Sequence, residues 1–470
     1  MQEVGISSEA LIGALLALGP QRRLSLLDSC GARGDAARFL IAGFDPFETI
    51  EARGTQLLIE ERAAASARTE RGDVLSLLDE RLKKYGAGQT GPTSLPAAGG
   101  ACIATLSYEL ARGFERRLAG TKRAGEEPDA VLAFYDTLVI HDYERGATHI
   151  TGCGGPARIA ETLEAMSGVA HHERQAGPKI YARTSSRVAS NMTRDEYLSA
   201  VSRIQEHIAA GDIYQANLTQ RLDCPLEEGR RAEDVFLRLR RDHPASFAAF
   251  LRRREDTVVS ASPERFLRVE LRDGERRVEA WPIKGTRPRG RDRGEDDALR
   301  AELLSSEKER AENVMIVDLL RNDLGRVCRF GSVRVRELCA VEEHPTLFHL
   351  VSKVGGVLCE EVTAGQLLRA AFPCGSITGA PKIRAMQIIH EQEKSARGLS
   401  MGALGYFAFD GSLDLSVAIR TMVLDEGRAR FNVGGGIVAD SKPEAEYEES
   451  WLKALALLKA LGASAPTASR

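Results

Sequence analysis

The 470-residue chain contains eight cysteines but no C-x-x-C pair and no cysteine and histidine spacing that would build a zinc site. Its thiols, among them Cys102, Cys224, Cys328 and Cys374, are therefore expected to be free, as in a reducing compartment. No apolar stretch approaches the roughly 18 residues of a membrane span, and no basic residue precedes the apolar segment 10–19 as one would in a signal peptide. A cytoplasmic location without a membrane partner is expected. An excess of one charge is also missing: 64 Lys and Arg face 67 Asp and Glu, for a net charge of -3, in mixed-sign runs such as 287–300. That excludes a nucleic-acid partner. No internal repeat is found in the first 180 or so residues, and the length allows two to four domains.

Local patterns define the elements. Thr193-Arg194-Asp195-Glu196 is a capping box opening a helix with Tyr197, Val201, Ile204 and Ile208 on its apolar face, stopped by Gly211. Ser306-x-x-Glu309 repeats the box before Met315, Ile316, Leu319 and Leu320. A period of two from Gly402 to Leu424 around Asp410-Gly411 predicts a hairpin, with residues 428–433 as its neighbouring strand. A last helix starts at Ser441-x-Pro443-Glu444, runs through Tyr447, Trp451, Leu455 and Leu458, and closes at Gly462. The first 180 residues alternate strand-like runs, such as 131–140, with polar breaks. Segment 168–190 is the predicted boundary between an N-terminal region, 1–180, and a second region, 190–462. The mixture indicates α+β.

Several groups point to chemistry. Lys284 ends the apolar run Trp281-Pro282-Ile283 before Gly285-Thr286. An amine desolvated there loses its charge and becomes a nucleophile; the alternative is a surface lysine at a strand end. Glu309 and Glu312 project from one helical face, as do Glu446 and Glu449. Four carboxylates brought together need a cation, and hard oxygen donors suit Mg²⁺; solvated helix faces are the plainer alternative. Gly375-Ser376-Ile377-Thr378-Gly379-Ala380-Pro381-Lys382 presents amides to an anion but is not a Walker loop. Gly434-Gly435-Gly436 forms either a second nest for a carboxylate or a simple turn. Arg420, Arg321 and Arg326 have the chemistry to clamp carboxylates, or to sit in surface salt bridges.

The order of these motifs is more informative than any one of them. Ser262-Pro263-Glu264-Arg265-Phe266, the Lys284 segment, Ala311 to Asp323, the Gly375 to Lys382 loop, Ile419-Arg420-Thr421, the glycine triplet and Glu446-Tyr447-Glu448-Glu449 together resemble the chorismate-binding enzymes, in register from about residue 190 to 460. Gly99-Gly100 through Tyr108-Glu109-Leu110 resembles that family's N-terminal companion region. The resemblance implies a large sandwich of antiparallel β-sheets flanked by helices. Lysine at 284, where the anthranilate-forming branch has alanine, is the mark of the aminodeoxychorismate-forming branch. Gln215 stands where the hydroxylating branch has a water-activating lysine, and glutamine cannot deprotonate water.

The same resemblance implies roles. Glu264 is the general acid and Lys284 the nucleophile. Glu312 and Glu449, with Glu309 and Glu446, hold Mg²⁺. Gly285, Thr286, Thr378 and His349 line the substrate pocket, with His349 equally readable as a core residue. Arg420 and Gly434 to Gly436 take the enolpyruvyl carboxylate of chorismate, and Lys453 lies near the metal-bound one. No cysteine occupies a G-x-C-x-G elbow, so a separate glutamine amidotransferase (glutaminase) subunit is the expected partner and ammonia source. Ser29, Ser246 and Phe247 match the walls of a tryptophan pocket in relatives, or else plain core. Ser400 replaces a family tyrosine, Asn313 a usual histidine and Cys374 a frequent glycine.

Overall fold

The computed structural model describes residues 1–32, 37–64, 66–87, 94–118, 126–170, 188–343, 347–425 and 427–465. Two twelve-stranded antiparallel sheets dominate it. The first runs from Gln2–Val4 through Thr137–Asp142, Ser25–Asp28, Phe247–Arg252, Thr257–Ser262 and Thr421–Asp425 to Arg428–Ile437 and Gln215–Pro225. The second runs from Ile283–Pro288 through Leu347–Val357, Arg265–Arg272, Leu413–Val417, Ala403–Ala408 and Ala101–Leu106 to Glu48–Arg53. Their facing sides share one core, in which Ile41, Ile140, Leu251 and Val258 meet Ile103, Tyr135, Leu404 and Ala408. The expected sandwich flanked by helices is present. Most of the expected boundary, 171–187, lies outside the described residues, and strands from both sides of it enter both sheets.

The capped helices form where the sequence places them. Thr193 completes a capping box on Arg194–Ala209, and Gly462, with φ of 73°, ends Pro443–Leu461 in the left-handed conformation that glycine tolerates. At Ser306 only half the box exists. The hydroxyl accepts from Glu309 N at 3.4 Å, but the Glu309 carboxylate turns away to Arg287 Nη1 at 3.0 Å, a charge-assisted bond stronger than one to a neutral amide.

Two strand expectations need correction. The hairpin Ala403–Ala408 and Leu413–Val417 forms, but Thr421–Asp425 leaves it for the first sheet and pairs with Arg428–Ile437 there. The run 131–140 likewise splits at Asp136 into strands of different sheets. These changes of sheet matter for function. The chain crosses from the first sheet to the second at Pro263-Glu264 and returns at 418–420, and the two crossovers are bonded together. Val417 N donates to Glu264 O at 3.0 Å, and Ala261 N donates to Arg420 O at 3.0 Å.

Candidate active site

Glu264 is held at its crossover with only 4% exposure. Burial pushes its carboxyl up to about 7, against the opposing pull of a hydrogen bond from Ser376, the charge of Lys284 and the Ile283 backbone. Among the described residues its Oε1 has no hydrogen-bond partner. A carboxylic acid in this state holds a proton near neutrality and can give it to a leaving group.

Lys284 lies on Ile283–Pro288, and Trp281, just before that strand, faces elsewhere: the indole stacks against Arg265 and Lys353 and donates to Glu279. The Lys284 side chain is 14% exposed, with Nζ 3.7 Å from Glu312 Oε2 and 3.5 Å from Ser376 O. Its surroundings are thus polar and acidic, not the wholly apolar ones that its neighbours in sequence suggest. Gly285, with φ of 85°, leaves space that a Cβ would close, meeting Leu303 Cδ1 at 2.9 Å and Glu309 Oε2 at 3.1 Å. Thr286 is exposed and bonds through Oγ1 to Nδ1 of buried His349 at 2.9 Å. His349 therefore braces the lysine strand.

The Glu307–Gly325 and Pro443–Leu461 helices present the four glutamates, and each carboxylate meets a cation of the protein. Glu309 pairs with Arg287 at 3.0 Å, Glu312 with Lys284 at 3.7 Å, Glu446 with Lys308 at 4.0 Å and Glu449 with Lys453 at 2.7 Å. Burial and the neighbouring Glu449 raise the Glu446 carboxyl, although Ser441 donates to it at 2.6 Å. Burial works the same way on Glu449, yet the charge and hydrogen bond of Lys453 hold it below the ordinary range. Among the described residues no three His, Cys, Asp or Glu side chains form a metal-holding group. The donor set nonetheless suits a hard cation: all four groups are carboxylates, and Glu309 Oε2 is buried without a hydrogen-bond partner among the described residues.

Gly434 to Gly436 do not follow a strand; they lie inside Arg428–Ile437, opposite Thr219, Leu218 and Asn217. The triplet is therefore not a loop nest. Among the described residues no strand pairs with its other edge, because pairing with Thr421–Asp425 stops at Arg430, and Lys453 Nζ donates to Gly434 O there at 2.9 Å. Space explains the glycines. A Cβ on Gly434 would stand 1.8 Å from Leu218 O, and one on Gly435 would stand 3.2 Å from Glu446 Oε2 and 3.4 Å from Lys453 Nζ.

Arg420 is half-buried with φ of 47° and, among the described residues, has no acidic partner; burial lowers its pKa. A guanidinium left in that state favours a carboxylate ligand. Thr378 differs from expectation: it is fully buried and its hydroxyl donates to Cys374 O and Gly375 O, bracing the turn. Arg321 pairs with Asp318 at 2.9 Å on the outer helix face, and Arg326 donates to Ala370 O, so neither joins the site. Lys382 binds Asp323 and Ala371 O instead of leaving its turn open to an anion. Asn313 is a core brace, accepting from Ser352 Oγ and donating to Leu350 O. Ser29, Ser246 and Phe247 do come together, around a separate cavity of about 80 Å³. Sequence reasoning gave no role to the side chains of Ser376, which lies inside the quoted Gly375 to Lys382 loop, and of Lys308, which precedes Glu309.

A buried proton donor, a lysine among carboxylates and an open strand edge define an enzyme site for a small acidic substrate. A family profile described as chorismate binding enzyme matches residues 26–459, and the chain belongs to that family. It is 38% identical to aminodeoxychorismate synthase component 1 of Escherichia coli, over 93% of this chain and 92% of that one. It is also 38% identical to anthranilate synthase component 1 of Thermus thermophilus, over 96% and 95%. The solved anthranilate synthase component I of Streptococcus pneumoniae superimposes with a TM-score of 0.76 at 29% identity, covering 91% of this chain and 93% of that one.

Proposed function

We propose that this chain aminates chorismate at ring carbon 4, giving 4-amino-4-deoxychorismate for 4-aminobenzoate and folate synthesis. The observation that supports this most directly is the nitrogen of Lys284, 3.7 Å from Glu312 and beside the protonatable Glu264. Glu312 and Glu449, with Glu309 and Glu446 close by, would hold Mg²⁺. Bound there, the ion would neutralise the ring carboxylate and withdraw electron density from the diene.

Glu264 gives its proton to the 4-hydroxyl, which leaves as water. The Lys284 amine, once deprotonated, adds at carbon 2 as the ring double bonds shift. Ammonia then enters at carbon 4, the double bonds shift back and the lysine departs as a free amine. Arg420 and the open edge of Gly434 to Gly436 hold the enolpyruvyl carboxylate, which is retained in the product. Relatives are named as the first component of their enzymes, which supports a partner subunit for this chain; a glutaminase would deliver ammonia as the free base.

The anthranilate-forming reaction is the second reading, favoured by the equal identity to the Thermus protein. Incubation of the chain with chorismate, Mg²⁺ and ammonium at alkaline pH separates them. The proposal expects 4-amino-4-deoxychorismate without pyruvate; fluorescent anthranilate and equimolar pyruvate would overturn it.

A further inference from the structure

Arg397 is 3% exposed, and its guanidinium is engaged on every side. Nε and Nη2 grip the Glu393 carboxylate at 2.7–3.2 Å, Nη1 donates to Ile377 O at 2.9 Å and Nη2 to Asn217 O at 2.5 Å. The Tyr108 ring lies 4.4 Å from it. The backbone amides of Arg397 and Gly398 donate to the two oxygens of Glu109, each at 2.9 Å. Glu393 in turn accepts from Thr219 N and Oγ1 at 2.8 Å.

The bonds to Ile377, Asn217 and Thr219 reach segments of the active site. Ile377 adjoins Ser376, whose side chain opposes protonation of Glu264 and whose carbonyl lies 3.5 Å from Lys284 Nζ. Asn217 and Thr219 stand opposite Gly436 and Gly434. A planar fork can hold a carboxylate and two carbonyls at once, which an ammonium on a flexible stem cannot. The geometry points to Arg397 as a positioning residue: braced by Tyr108, Glu109 and Glu393, it fixes the Ser376 turn against Glu264 and Lys284. The N-terminal region thereby completes the site from behind. The inference rests on turnover of chorismate by this site and is indifferent to which product forms.

The test compares kcat, KM and their pH profiles in Arg397→Lys, Glu109→Gln and the parent. Misplacing the turn by about 1 Å is expected to lower kcat on the order of 10- to 100-fold in Arg397→Lys, with KM within about threefold. The alkaline limb of kcat moves upward as well, because Glu264 loses the nearby Ser376 hydroxyl that opposes its protonation. Glu109→Gln, which keeps one acceptor, shifts the same way by less, and it decides the matter if Arg397→Lys does not fold. An activity loss uniform across pH, a change in KM alone or no change overturns the positioning role. A parent chain that consumes no chorismate refutes the proposed function instead. The Glu264 titration is then read without substrate, as the carboxyl infrared band lost in Glu264→Gln. If Arg397→Lys leaves that titration where it was, the positioning role is wrong.

Discussion

Replacing Glu264 by glutamine tests the electrostatics of the site without relying on turnover. The carboxyl titrates at 4.5 in water and is pushed by burial to about 7 in the folded chain. The folded state therefore binds the proton more tightly than the unfolded chain does. That contribution to stability is fully present below pH 4.5 and is lost as pH rises through 7. With about 1.4 kcal/mol for each pH unit of the gap, the parent should lose about 3 kcal/mol between pH 4.5 and 8 that Glu264→Gln keeps. A chain of 470 residues unfolds with an entropy of about 1 kcal/mol/K. The thermal midpoint of the variant should then gain about 3 °C on the parent over that pH range. Differential scanning calorimetry of both proteins from pH 4.5 to 8 measures it. A midpoint difference that stays constant with pH would refute the reasoning, because Glu264 would then titrate alike in the folded and unfolded chains.

Two further substitutions probe the substrate end. Gly435→Ala places a methyl group 3.2 Å from Glu446 Oε2 and 3.4 Å from Lys453 Nζ; it should weaken Mg²⁺ binding by about tenfold, or about 1.4 kcal/mol, in a calorimetric titration while leaving the fold intact. Ser400 accepts from Asn432 N at 3.1 Å, on the strand that carries Gly434 to Gly436. Ser400→Tyr should lower KM for chorismate by about tenfold through one charge-assisted bond; an unchanged KM means the contact is made elsewhere.

Local chemistry made much of this fold readable. The Thr193 box and Gly462 mark helix ends because their hydrogen bonds and backbone angles depend on near neighbours alone. The destination of a strand does not: Thr421–Asp425 keeps the period of two yet changes sheets, since alternation records burial and not the partner. Gly434 to Gly436 misled for a related reason. Glycine usually signals a turn, whereas here close approach to Leu218 O and Gln215 Nε2 demands it within a strand. Motif order singled out Glu264, Lys284 and the paired glutamates as candidates, and the fold sets Lys284 beside Glu264 and Glu312. Arg397, Glu393 and Glu109 were not legible, because a buried ion pair looks in sequence like any charged surface.

The central claim is that the Lys284 amine attacks the ring, and a product assay on Lys284→Ala with chorismate, Mg²⁺ and ammonium tests it most directly. The account predicts that 4-amino-4-deoxychorismate formation falls by at least about 100-fold, with residual turnover passing to anthranilate and pyruvate. Undiminished 4-amino-4-deoxychorismate from the variant would contradict it.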